Sequence, residues 1–252
     1  RMRAFAKELV DLKPDMILAN STPATAAFQR ETKTIPIVFA VASDPVGSGF
    51  VASLARPGGN ITGFCIAEPS LPAKWIELLS EIAPGLRRAA MMFNPSTAAY
   101  VTSYYLPSFE AAAQSLKVAP IIARVGSAAD IETAINSLGQ EPGGGLLVMP
   151  DNFMEINRAQ IISLAARNNV PAIYQLPVNV KDGGLLSYGA DFADVFRRAA
   201  VYVDRVLRGT LPSELPVQMP TKYILTINAR TAKALGLAVP PTLILRADEV
   251  IE

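Results

Sequence analysis

The sequence predicts an α/β fold in two lobes, each built on a mostly parallel sheet. Short apolar runs alternate with helix-length amphipathic segments, which is the rhythm of βα units. The apolar runs are too numerous for one small sheet, and a break at Ala83-Pro84-Gly85 separates an earlier series from a later one. At 252 residues and 50% hydrophobic content the chain has material for one large core or two small ones, so the break favours two.

In chain order, the first element is an amphipathic helix with Met2, Phe5, Leu9 and Leu12 on one face. Strands are expected at 16–19, 35–41 and 61–65, and the helix between the first two opens with Thr22 as cap before Pro23. The next helix carries Trp75, Leu78, Leu79 and Ile82 at helical spacing, which places Trp75 in the core. The later series has strands at 89–93, 119–124, 145–149, 172–174 and 185–188. Their apolar character fits strands covered on both faces. Asn152, with Glu155 three residues on, reads as a capping box, and Asp191 opens a helix over Phe192, Val195, Phe196, Ala199, Val203, Val206 and Leu207 that Gly209 ends. The expected first lobe is 1–68 plus 189–211 and the second is 85–186. Segments 69–84 and 212–252 are crossover or tail, and Pro212, Pro216, Pro220, Pro240 and Pro241 argue against another βα unit in the tail.

Composition narrows the chemistry. The chain has 23 basic and 22 acidic residues and no run of either basic type, so no basic stripe for nucleic acid is expected. It has no histidine, which removes Ser-His-Asp, Cys-His and His-metal sites. Its one cysteine, Cys65, precludes an internal disulfide or a thiolate zinc cage and reads as a small buried hydrophobe. No metal, no cofactor and no catalysis are expected. No stretch approaches the roughly 18 apolar residues of a membrane span.

Gly47-Ser48-Gly49-Phe50-Val51-Ala52 matches G-x-G-x-x-A, yet Arg56-Pro57-Gly58-Gly59-Asn60 follows within two turns and leaves no room for a phosphate-facing helix. These glycines read as turn formers. More informative are the carboxyl ends of the strands, where open α/β sheets bind ligands. Polar residues recur there: Ser21 and Thr22 after the first strand, Ser43 and Asp44 after the second, then Asn94 and Asp151 in the later series. Each alone reads first as a cap or turn. Together, hydroxyls and free N–H groups at a helix start suit a carboxylate, while Asp44 or Asp151 suits an ammonium, so the set fits a zwitterion. Tyr188, ending a strand, is a candidate for stacking on an apolar part of the ligand, or else a core residue.

The segments Ile35-Pro36-Ile37-Val38-Phe39, Ser43-Asp44-Pro45-Val46 and Ser53-Leu54-Ala55-Arg56-Pro57-Gly58-Gly59-Asn60-Ile61-Thr62-Gly63 resemble the ABC-transporter substrate-binding proteins of the tryptophan/tyrosine type. The likeness extends through Asn20-Ser21-Thr22-Pro23-Ala24, Asn94-Pro95 and Ile227-Asn228, and Pro-Gly-Gly-Asn-Ile-Thr-Gly is its specific part. The resemblance implies a type I periplasmic-binding fold of two Rossmann-like lobes with a hinge and a cleft between them. It implies a small ligand, such as an aromatic or other amino acid, and a membrane permease as partner. A periplasmic or extracellular location follows, with an export signal and a leading strand–helix–strand expected ahead of Arg1. Ser21, Thr22, Asp44, Asn94 and Asp151 are the ligand-contact candidates that carry over. The ligand-sensing domain of a transcriptional regulator, which shares this fold, is the alternative.

Overall fold

The structure, a computed structural model, describes residues 2–252. These residues form two compact units: the chain up to Glu68 together with Ala190–Lys222, and Pro69–Gly189 together with Tyr223–Glu252. Segment 69–84 thus lies in the second unit, and the tail divides at Lys222.

In the first unit, α1 (Met2–Asp11) precedes β1 (Ile17–Asn20), α2 (Thr22–Glu31), β2 (Ile37–Ala42) and β3 (Ile61–Cys65). The strands pair in parallel in the order β1-β2-β3. Strands β2 and β3 are buried throughout, whereas β1, at the edge, alternates buried and exposed residues. Helix α1 buries Ala6, while Met2, Phe5, Leu9 and Leu12 are exposed. The apolar periodicity of α1 is therefore real, but this face is not part of the core.

The Pro-Gly-Gly-Asn-Ile-Thr-Gly segment has a structural duty at almost every position. Pro57 accepts a hydrogen bond from Ala52 N, and Gly58 adopts φ 80°. Asn60 Nδ2 donates to Ile35 O at 2.7 Å, and Thr62 Oγ1 donates to Leu215 O. Residues Asp44–Asn60 contain no helix, as the crowding of glycines and prolines predicts. Gly47 N instead closes a turn on Asp44 Oδ1 at 2.8 Å, and Gly49 has φ 70°.

The long helix of this unit, Phe192–Leu207, begins as expected, with Asp191 accepting from Asp194 N, and Gly209 follows it with φ 97°. Asp191 also pairs with Lys222 at 2.8 Å. That hydrogen bond to the ammonium, with help from backbone N–H groups, holds its carboxyl below the ordinary value. A lowered folded value means that the charge contributes stability above the unfolded pKa and loses it as pH falls through the folded one. In urea titrations, Asp191→Asn, which keeps a capping oxygen, is expected to be less stable than the parent near neutral pH. The gap should close in acid below the ordinary carboxylate range. An equal gap at both ends would remove Lys222 as the cause.

The second unit begins with α3 (Leu71–Ile82), whose Trp75 is fully buried and donates from its indole to Tyr188 O at 2.7 Å. Its strands are β4 (Arg88–Phe93), β5 (Ala119–Arg124), β6 (Gly144–Val148), β7 (Ala172–Tyr174), β8 (Leu186–Ala190), β9 (Tyr223–Asn228) and β10 (Glu249–Ile251). The sheet order is β10-β9-β8-β7-β6-β4-β5. Strand β5 is largely exposed, against the expectation of cover on both faces, because it lies at the sheet edge. The tail also departs from expectation: β9, two short helices and β10 complete this sheet, with the prolines outside the strands. Hydrogen bonds from Asn228 N to Leu185 O and from Asp191 N to Lys222 O set residues 185 and 191 opposite 228 and 222, an antiparallel run that differs from the parallel pairs.

The chain leaves β4 for its neighbour β5 and then returns to the other side of β4 for β6. The strand order therefore reverses between β4 and β6, which is where open α/β sheets form their ligand crevice.

Candidate functional site

In the first unit, Ser21 and Thr22 follow β1, and Ser43 and Asp44 follow β2. Ser21, not Thr22, is the residue flanking α2, and its hydroxyl does not cap the helix. Thr22 is already helical, and its hydroxyl is committed elsewhere. Oγ1 accepts from Ser43 N at 2.9 Å and lies 3.3 Å from Ser43 O, joining the two strand-end loops.

The backbone here is strained. Ser21 has φ 84° and ψ 156°, a region that is essentially reserved for glycine, and Val41 and Asp44 also have positive φ, at 62° and 43°. Val41 sits where the β2–β3 register shifts. Each such residue costs about 1–3 kcal/mol, and they gather where ligands are clamped. Asp44 also acts on the buried Cys65 thiol beside it. Burial first, and this carboxylate second, push the thiol up to about 12, so Cys65 is inert at neutral pH.

In the second unit Asn94 follows β4 and Asp151 follows β6, one on each side of the strand reversal. Both are buried. Asp151 Oδ2 accepts from Asn94 N at 2.8 Å, and Oδ1 accepts from Thr97 Oγ1 at 2.5 Å and from Phe153 N at 2.8 Å. Asp151 is therefore the cap of the short helix Asn152–Ile156, where Asn152 was expected, because an aspartate one residue earlier presents its oxygen to the second N–H. Its carboxylate is a bracket between two loops.

Tyr188 does not end its strand, since β8 runs on to Ala190. Its ring stacks on Tyr223, 5.2 Å between centroids at 11°. Sequence reasoning also passed over Thr97 and a run of aromatics after Asn94. Val101–Tyr105 forms a π-helical turn, and Tyr100 donates from its hydroxyl to Pro150 O at 2.7 Å. Three of the chain's seven tyrosines fall within six residues there, at 100, 104 and 105, which was a readable compositional signal. Among the described residues, no group of three or more His, Cys, Asp or Glu could hold a metal, and no helix is long and apolar enough to cross a membrane.

The family model described as ABC transporter substrate binding protein matches residues 1–251. This chain belongs to that family. A curated relative, a tyrosine-binding protein of Clostridioides difficile, is 27% identical over 236 residues, 93% of this chain and 67% of the relative. Among solved structures, a conserved domain protein of Vibrio cholerae shares 28% identity at a TM-score of 0.90 over 99% of this chain and 82% of that one. An ABC domain from Streptococcus pneumonia in complex with L-Trp has a TM-score of 0.91 at 24% identity, covering 99% of this chain and 83% of that chain. The fold of this family member is the type I periplasmic-binding fold of ABC transporter components. In the Pro-Gly-Gly-Asn-Ile-Thr-Gly segment, which carried the resemblance, the Asn60 and Thr62 side chains are bonded to backbone carbonyls of Ile35 and Leu215 within the first unit.

Proposed function

We propose that this chain is the solute-binding component of an ABC import system and that its ligand is an amino acid with an aromatic or apolar side chain. On this reading it works in the periplasm or outside the cell and delivers the ligand unchanged to a membrane permease. The relatives that bind tyrosine or hold L-Trp support the ligand class. One observation carries it on this chain: α2 starts without a side-chain cap, and the Asp44 carboxylate stands in the loop that Thr22 ties to that start. The helix N-terminus favours a carboxylate and Asp44 favours an ammonium, so anchors of opposite sign lie in adjoining loops. We further propose that Ser21, Thr22, Ser43 and Asp44 contact the ligand, and that Asn94 and Asp151 do so as well. Tyr188 is a weaker member, since its ring already stacks on Tyr223.

Calorimetric titration with L-tyrosine, L-tryptophan and L-leucine tests this reading. Asp44→Asn is the cleanest variant, because asparagine tolerates the positive φ and keeps an oxygen for Gly47 N. Its affinity is expected to fall about 10- to 150-fold, the loss of a charge-assisted hydrogen bond worth roughly 1.5–3 kcal/mol, with an unchanged melting temperature in the absence of ligand. Wild-type affinity in this variant would reject Asp44 as the ammonium partner.

A further inference from the structure

Resting on that reading, we propose that Tyr100 is the aromatic wall of the site in the second unit and sets the preference for an aromatic ligand side chain. Tyr100 lies at the strand reversal between β4 and β6, seven residues after the end of β4. Its hydroxyl is bonded to Pro150 O, the residue before Asp151, so the side chain spans from the loop after β4 to the loop after β6. A tyrosine held at its far end has little rotamer freedom left to lose when a ligand packs on it.

The support beneath the ring is also built in. The π-helical turn Val101–Tyr105 follows directly, and such turns insert one extra residue into a helix and redirect the side chains around it. Tyr105 is fully buried and meets the Tyr100 ring edge-on, 6.1 Å between centroids at 68°. Tyr104 meets Tyr105 in turn at 4.9 Å and 73°. Tyr105 thus belongs to the core, while Tyr100 and Tyr104 remain partly exposed above it. Thr97 and the Asn94–Asp151 bracket stand beside this aromatic step, so ring surface and hydrogen-bonding groups occur together at one strand reversal. That combination, an apolar wall with a few placed polar groups, is the composition of small-molecule sites.

Titration of the chain with L-tryptophan, L-tyrosine, L-phenylalanine and L-leucine separates the possibilities. Tyr100→Phe keeps the ring and should stay within about threefold of wild type for all four. Tyr100→Ala and Tyr100→Leu should lose about tenfold or more for the aromatic three, the scale of an aromatic pair contact with its buried area. Leucine should change little, so the aromatic-to-leucine ratio collapses. Tyr100→Leu retains apolar bulk if the alanine variant folds poorly, and the melting temperature of each variant without ligand checks this. Two results would overturn the wall alone: a preserved ratio in Tyr100→Leu, or a loss in Tyr100→Phe as large as in Tyr100→Ala, which would assign the effect to the Pro150 tie. A wild-type chain that binds none of the four would instead overturn the amino-acid reading, and the wall with it.

Discussion

Replacing Asp151 by alanine is expected to destabilise the second unit by about 2–4 kcal/mol even with no ligand present. The substitution removes the acceptor for Asn94 N, Thr97 Oγ1 and Phe153 N together. Thr97 is exposed and can turn to water. Asn94 is buried, and leaving its N–H unpaired costs roughly 1–3 kcal/mol, to which the lost helix cap adds about 1. Asp151→Asn keeps one carbonyl oxygen and should lose less. Urea unfolding followed by the fluorescence of Trp75, the only tryptophan, reads this unit directly, since Trp75 is bonded to Tyr188 O within it. A midpoint within error of wild type for Asp151→Ala would show that the bracket carries no stability. The structure thus gives this residue a duty that precedes any ligand. Loss of binding in Asp151→Ala would mix the two effects, which makes Asp44→Asn the better probe of charge recognition.

The second large effect is expected at Gly63. A methyl group there would stand 2.1 Å from Phe39 O and 2.7 Å from two atoms of the Phe39 ring, and the residue has φ 155°. Backbone and a buried aromatic ring both bar the way, and Phe39 is paired with Gly63 across β2 and β3 in the core of the first unit. Neither obstacle is a flexible side-chain end, so the strands must separate. Gly63→Ala should cost more than about 3 kcal/mol, at the top of the range for overpacking and strain, and should appear as loss of soluble protein or a large fall in melting temperature. Gly59→Ala, four residues earlier in the same glycine-rich segment, meets nothing within 4 Å. It should stay within about 0.5 kcal/mol of wild type. Equal behaviour of the two would reject the close approach as the reason for Gly63.

Much of the framework was legible because its signals are local. The runs at 61–65 and 119–124 became strands with those bounds, and 172–174 likewise. Trp75 was placed in the core by its helical stripe, and Asp191 opened its helix as its position before an apolar run implies. Local reading failed where two neighbours compete for one duty. Ser21 and Thr22, or Asp151 and Asn152, are equally good caps by type, and the choice falls to whichever backbone conformation the preceding strand leaves. It failed again in the tail, where the prolines argued against a βα unit while Tyr223–Asn228 had an open strand edge to join.

The sequence by itself determined the α/β class, the strand-end positions of the polar residues and, through the missing histidines, the absence of histidine-based chemistry. These follow from residue type and from periodicities that repeat within a few positions. Only the tertiary structure decided what those polar residues touch. Thr22 meets Ser43 across 21 positions, Asn94 meets Asp151 across 57 and Tyr100 meets Pro150 across 50. Such pairings depend on strand order, and strand order is set by which apolar faces bury one another. No window along the chain contains that information, so the contacts between the loops after β4 and β6, that of Tyr100 among them, became visible only once β4 and β6 stood side by side.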